Sequence, residues 1–392
     1  MVKTAVGMLI LAGISIVVLV ALVNAAVTKG RGALSPILAD PTIGLSFTSI
    51  RVFDGDRVLE DQTVFTQGGQ ITGVVAASVG ARYDWRGEAV SGKGKTLLPG
   101  FIDAHVHLEF YDPRRVLKGG ITTARDTGWP AERIFPLAER LAANPRAGPF
   151  LLASGPMITA PGGYPSSTGW APSGTALEIS NGTEGREAVK RLKTQGATVI
   201  KVAQDPRQGP VLSTAVLREV VQQAHEMGLK VTSHLSSLDQ LEVALDAGVD
   251  ELAHGLWSDE VIPDEVIARM VEARLTIVPT LHIDPSRQRV ENLRRFLSAG
   301  GKVIYGTDMG NSGPPPGIDV IELKLMMEAG MSALEVLASA TAHAASYLGL
   351  DDRGRVAPGF AADLIMVEGN PLEDLSVLSK PVLVMRQGKT PE

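Results

Sequence analysis

Two of the seven histidines in this 392-residue chain, His105 and His107, stand one residue apart at the end of an apolar run, FIDAHVHLEF (101–110). Side chains of a β-strand alternate between faces, so residues i and i+2 share a face and both imidazoles point the same way. Neutral imidazoles paired in this manner are good ligands for a divalent cation. Other polar residues sit in or at the ends of further β-branched runs: Lys201 in TVIKVA, His234 in KVTSH, His254 in DELAHG and Asp308 in KVIYGTD. The chain has no cysteine, which excludes disulfides and thiolate metal sites and leaves ligation to His, Asp, Glu and Lys. His105, His107 and Asp308 can hold one metal, and His234 and His254 a second. Zinc suits this donor set, and manganese, cobalt or iron fit similar ligands. Lys201 is the odd member, because an ammonium cannot ligate. Reaction with carbon dioxide would turn it into a carbamate whose oxygens can bridge two metals; the alternative is a strand-end lysine paired with an acid such as Asp308.

Something must bring these residues together. Eight short β-rich runs lie in the middle of the chain, in GFIDAHVH, ITTARD, FLLASG, TVIKVA, KVTSH, DELAHG, TIVPTL and KVIYGTD. Amphipathic stretches such as TAVLREVVQQAHEMG and SLDQLEVALDAG separate several of them, each closing on a glycine. Repeated β–α units over 98–348 fit an α/β fold of the (β/α)8 TIM barrel type, with an open doubly wound sheet as the structural alternative. In a barrel the C-terminal strand ends converge on one face, where His105, His107, Lys201, His234, His254 and Asp308 would meet. The flanks read differently: 31–97 and 349–392 are strand-rich and broken by Gly, Pro and Asp, and together predict a small β-sandwich built from both chain ends.

The N-terminal segment 1–30 contains AVGMLILAGISIVVLVALV (5–23), with no charged residue. That length matches a membrane-spanning helix better than the shorter apolar core of a signal peptide, although VNA (23–25) keeps cleavage open. The expectation is a membrane-anchored protein with an extracytoplasmic catalytic domain, or an exported one if the segment is cleaved. The formal net charge of −6 and the lack of a basic run argue against nucleic acid as a partner. Self-association into a homo-oligomer is left open.

The ordered set of motifs, RVFDG, LLPGFIDAHVH, GGITTARDTG, VIKVA, VTSH, ELAHG, GTDMG and GFAADLIMVEGNPLEDL, resembles the amidohydrolase superfamily over nearly the whole chain after the apolar segment. LEVALDAGVDELAHG and NPLED are most similar to its imidazolonepropionase-like and prolidase-like branch. The resemblance implies that His105 and His107 bind the more buried of two divalent metals, that Lys201 is the carboxylated bridging lysine, and that His234 and His254 bind the second metal. It implies that Asp308 both ligates and acts as general base, with a hydroxide between the metals attacking a carbonyl. Mononuclear deaminases of the superfamily lack this lysine and place a glutamate near the fifth-strand histidine. TSHLSSLDQ has none just after His234, which favours hydrolysis of an amide or ester. The substrates implied are small molecules such as dipeptides, Xaa-Pro-like, or N-acyl amino acids. The alternatives are a lactonase or organophosphate hydrolase on the same metals, and a catalytically silent binding scaffold.

Tyr164, in ITAPGGYPSSTGW, stands where many relatives of the branch have histidine. It is a candidate to polarise a substrate carbonyl or bind a substrate carboxylate, or else packs beside Trp170. His282, after the seventh strand, is a candidate substrate contact. His225 and His343 fall on helix-like runs and read as structural. Asp126 ends the second strand and is placed to support the site, while Arg125 points to the opposite face.

Overall fold

The structure is a computed structural model, and it describes residues 44–83, 85 and 87–392. The chain opens with β1 (Gly44–Phe53), β2 (Val58–Gln67), β3 (Gln70–Ala76), β4 (Glu88–Ser91) and β5 (Lys95–Pro99). It closes with β16 (Leu364–Glu368) and β17 (Leu383–Met385). These segments share one seven-stranded sheet in the order β17-β16-β5-β1-β2-β3, with β4 paired to β1. Hydrogen bonding thus joins the two chain ends, expected to build one small β-sandwich, in this mixed sheet. Leu364 to Glu368 of β16 pairs antiparallel with Pro99 to Lys95 of β5 along its whole length, while one edge of β1 is shared between β4 (at Leu45–Thr48) and β5 (at Arg51–Val52). Phe47, Ile50, Val64, Leu97, Leu364 and Met385 form its own buried cluster, each such side chain contributing about 1.5–3 kcal/mol by burial.

Between these ends lies a TIM-barrel-like α/β region. Its strands are β6 (Phe101–Val106), β7 (Ile121–Asp126), β8 (Phe150–Ala153), β9 (Met157–Thr159), β10 (Ala176–Glu178), β11 (Ile200–Gln204), β12 (Val231–Leu235), β13 (Glu251–Leu252), β14 (Thr276–Ile277) and β15 (Lys302–Val303). β6, β7 and β8 pair in parallel, and a second sheet runs β10-β9-β11-β12-β13-β14-β15. Backbone bonds link the two. Thr198 N donates to Ala153 O (2.9 Å) beside β8, and Ala104 N donates to Tyr305 O (3.0 Å) and Asp308 N to His105 O (2.8 Å) beside β6. The buried strands β6, β7, β11 and β12 have no exposed residue, as strands covered on both faces require.

The intervening helices begin and end on chemistry legible in the sequence. Ser213 caps Thr214–Glu226, and Ser237 caps Leu238–Ala247, each accepting a backbone N–H three residues on. Gly248 ends the second helix at φ 84°, a left-handed conformation that glycine adopts without strain. One expectation is overturned. The anchored or exported localisation is not supported: among the described residues no helix is long and apolar enough to cross a membrane. The segment 5–23 on which it rested lies outside the described residues.

Candidate metal centre and its cavity

Asp103, His105 and His107 follow one another at alternate positions, so β6 turns all three to the same side. Asp103 is wholly buried and organises the other elements: its Oδ1 accepts from His105 N and Thr307 N (3.1 Å each), and its Oδ2 accepts from Thr307 Oγ1 (2.6 Å). Burial pushes its carboxyl up to about 7. These bonds pin the segment after β15 against β6. Gly306 lets it approach, because a Cβ there would sit 2.3 Å from Val278 Cγ1 and 3.0 Å from His105 N. Asp308 then takes φ +58°, left-handed backbone in which aspartate and asparagine are over-represented.

The result is a tight set of donors. Asp308 Oδ1 lies 3.2 Å from His107 Nε2 and 3.5 Å from His105 Nε2, and the ligand atoms of the three residues lie within 4.8 Å of one another. His105 Nδ1 donates to Ala253 O (2.8 Å) and His107 Nδ1 to Gly128 O (3.2 Å). A carbonyl only accepts, so each Nδ1 carries the hydrogen and each Nε2 presents a lone pair. His105 Nε2, Asp308 Oδ1 and Lys201 Nζ are all buried without a hydrogen-bond partner. Three orphaned polar atoms on residues lining one cavity are costly unless a ligand satisfies them, and the His105, His107 and Asp308 donors fit a divalent cation.

The remaining site residues join the same cavity of about 300 Å³. His254 Nδ1 lies 3.8 Å from Asp308 Oδ2, and its ring centroid is 4.5 Å from that of His105 and 4.9 Å from that of His234. Burial drives His105, His234 and His254 below the usual imidazole range, with the Lys201 charge adding to the effect at each. They are neutral, and so able to ligate, at pH 7. At His107 burial acts in the same direction, but the Asp308 carboxylate outweighs it and raises the ring. Burial pushes the Lys201 amine down to about 7, against the pull of Asp308 and Glu251. An amine held to about 7 is in part neutral at that pH, and the neutral form is the nucleophile that carbon dioxide requires.

Tyr164 lines the cavity and stacks on His234 with ring centroids 4.9 Å apart. Burial and the nearby Asp308 charge hold its phenol well above the ordinary range, so it keeps its proton. His282 does not line the cavity: its Nδ1 is 2.5 Å from Asp319 Oδ2, and Ile283 takes the wall position instead. His225 pairs with Asp250 (2.9 Å) on an exposed helix face, and His343 is exposed on Ala342–Leu348. Asp126 accepts from Leu108 N (2.8 Å) and Gly128 N (3.1 Å), bracing the turn after His107. Arg125 donates to Ala104 O (2.8 Å) and to Glu251 (2.5 Å).

Sequence reasoning did not single out Asp205, Thr280, Phe110 or Trp257. Asp205 faces His234, and Thr280 Oγ1 lies 2.9 Å from His254 Nδ1. Phe110 and Trp257 line the cavity. Asp205 had one available signal, its place just beyond the C-terminal end of the strand that carries Lys201.

Comparison with known proteins agrees with this geometry. An uncharacterized protein of Mycobacterium tuberculosis is 28% identical over 341 residues, covering 76% of this chain and 85% of that one. Ochratoxinase of Aspergillus niger is 28% identical over 241 residues, covering 53% of this chain and 48% of the enzyme. Among solved structures, a Xaa-Pro dipeptidase with bound methionine superposes with a TM-score of 0.77 at 24% identity, over 88% of this chain and 98% of that one. The Amidohydrolase family model matches residues 96–390, so the chain belongs to the amidohydrolase family and is a hydrolase acting on carbon–nitrogen bonds.

Proposed function

We propose that this protein is a binuclear metal-dependent amidohydrolase that cleaves an amide bond in a small substrate. The observation that carries the reading is the convergence of six chemically matched residues on one cavity with three of their polar atoms orphaned. His105, His107 and Asp308 would hold one divalent cation, zinc suiting these donors best, and His234 and His254 a second, with a Lys201 carbamate between them. His234 engages Asp205 through Nε2 and His254 engages Thr280 through Nδ1, which leaves Nδ1 of the first and Nε2 of the second to ligate. The cations would supply Lewis acidity and an activated water.

The chain's own groups do the rest. Asp308 takes the proton of the attacking water and returns it to the departing amine, so that water adds across the broken C–N bond. Tyr164 Oη, still protonated, donates to the substrate carbonyl. The strands β6, β7, β8 and β11 to β15 are read as one closed eight-stranded barrel, whose C-terminal end gathers these residues from separate strands. Supporting relatives include enzymes named ochratoxinase and imidazolonepropionase.

Elemental analysis of the purified chain, expressed with bicarbonate, tests the reading together with an assay of amine release from small amides. About two metals per chain and metal-dependent release are expected. A single metal would overturn the bridged pair. No metal after supplementation, with no release, would overturn the enzyme reading.

A further inference from the structure

We infer that the substrate is a neutral aromatic amide, carrying no carboxylate beyond the scissile group; the inference rests on the amide-hydrolase reading above. Two independent features of the cavity lead to it, the aromatic make-up of its wall and a lining that, among the described residues, holds no arginine and no lysine but Lys201.

Aromatic rings form a continuous wall. Phe110 meets Trp170 (centroids 6.4 Å apart), Trp170 meets Tyr164 (6.1 Å) and Tyr164 stacks on His234 (4.9 Å), which meets Trp257 (6.1 Å), while Trp129 backs Phe110 (4.8 Å) from outside the lining. Phe110 is 43% exposed at the wall, an apolar ring held against solvent where a planar ligand can cover it. Offset and edge contacts between rings are worth more than burial of the same area, so a flat aromatic group is the best-matched occupant. A volume of about 300 Å³ admits a single substituted ring with a short acyl or amine group.

No free cation awaits an anionic group. Among the described residues the cavity lining contains no arginine, and its one lysine is Lys201, committed to the metal centre. The guanidiniums nearby lie outside that lining and have partners of their own, although Arg289 Nε is buried without one. Arg207 is bonded to Asp205 (3.1 Å), Arg133 pairs with Glu109 beside Trp129, and Arg289 lies under Trp257 while donating to Asp284 O (2.6 Å) and His254 O (3.1 Å). The polar lining beyond the metal centre is neutral: Gln208, Asn311 and Ser312. Such side chains hydrogen-bond an amide or ether but give a carboxylate beyond the scissile group no cationic side chain of its own, which is costly. Dipeptides and N-acyl amino acids, each ending in a free carboxylate, are the poorer fit.

Matched pairs of probes test this on the metal-loaded protein: 4-acetamidobenzamide against 4-acetamidobenzoate, and N-benzoylpyrrolidine against N-benzoylproline. Binding is read from quenching of tryptophan fluorescence, and turnover from released amine or amino acid. The neutral member of each pair is expected to bind at least ~10-fold more tightly, the scale of an unpaired desolvated charge. Ser312→Arg, at an exposed position of the wall, is expected to narrow that gap to ~3-fold or less by supplying the missing cation. Equal or tighter binding of the acids by the unaltered protein, or no binding of any probe, would overturn the inference. Turnover separates the two conclusions. Release that favours the acids would leave the amide-hydrolase reading standing and sink the substrate class, whereas neutral-selective binding without any release would do the reverse.

Discussion

Asp205 Oδ2 lies 3.4 Å from His234 Nε2, and the same carboxylate accepts from Ser236 Oγ (2.5 Å), Gln208 Nε2 (2.8 Å) and Arg207 Nε (3.1 Å). Burial pushes Asp205 up, but the bonds from His234, Arg207, Ser236 and Gln208 outweigh it and hold the acid well below the usual carboxylate range. Its ionised form therefore fixes the His234 ring through one nitrogen and leaves the other to the cavity. Asp205→Ala is expected to weaken retention of the second metal by ~10–100-fold, as loss of a ligand's outer partner does. Asp205→Asn should lose less. Metal content after dialysis against a graded chelator reads the difference, and unchanged retention in the alanine variant would remove Asp205 from the centre.

Asp308→Asn separates chemistry from folding. Asparagine tolerates the left-handed backbone at φ +58° as well as aspartate does, so the turn is kept. The amide cannot take a proton, and turnover should fall by ~100-fold or more. Thermal unfolding should stay within a few degrees of the wild type. Activity close to wild type would exclude Asp308 as the base.

Much of this was legible because the site residues lie on strands or within a few residues beyond their C-terminal ends. The i, i+2 spacing alone places His105 and His107 on one side of β6, and each of the eight sequence runs contains a strand. What was not legible depends on contacts distant in sequence. Asp205 stands before a proline in QDPRQ and reads as an ordinary turn former, and only the approach of β12 gives it His234 as a partner. Thr280 reaches His254 from φ +44°, a backbone state that a β-branched residue does not advertise. His282 was read from its place after a strand. The short helical turn Leu281–Ile283 instead directs it to Asp319 and turns Ile283 inward. That both chain ends build one β unit was expected, but the register of β5 against β16 was not legible, since it joins residues far apart in the chain.

On the proposed reading, Lys201 would link metal loading to carbon dioxide. Its amine is held to about 7, so loading of the metal-free chain in bicarbonate should proceed above that pH and fall away below it as the amine protonates. Lys201→Ala should leave at least one metal site empty, with partial rescue by short carboxylic acids added with metal. Full occupancy in that variant would refute a bridging role.

Glu322 should set part of the pH dependence of stability. It is wholly buried, with Oε2 accepting from His282 N (2.8 Å) and Oε1 without a partner. Burial raises it from 4.5 to about 8. In the folded chain it is protonated at neutral pH, while in the unfolded chain it is ionised. Unfolding therefore releases a proton across this window, and stability contributed by this group falls as pH rises from about 4.5 to about 8, then levels off. Glutamine mimics the protonated acid and cannot ionise. Glu322→Gln should match the wild type near pH ~5 and exceed it by ~2 °C or more in Tm near pH ~9, since holding an acid protonated for one further pH unit costs the fold ~1.4 kcal/mol. Parallel Tm curves for the two proteins from acid to alkaline pH would show that Glu322 stays ionised in the fold and that another group satisfies Oε1.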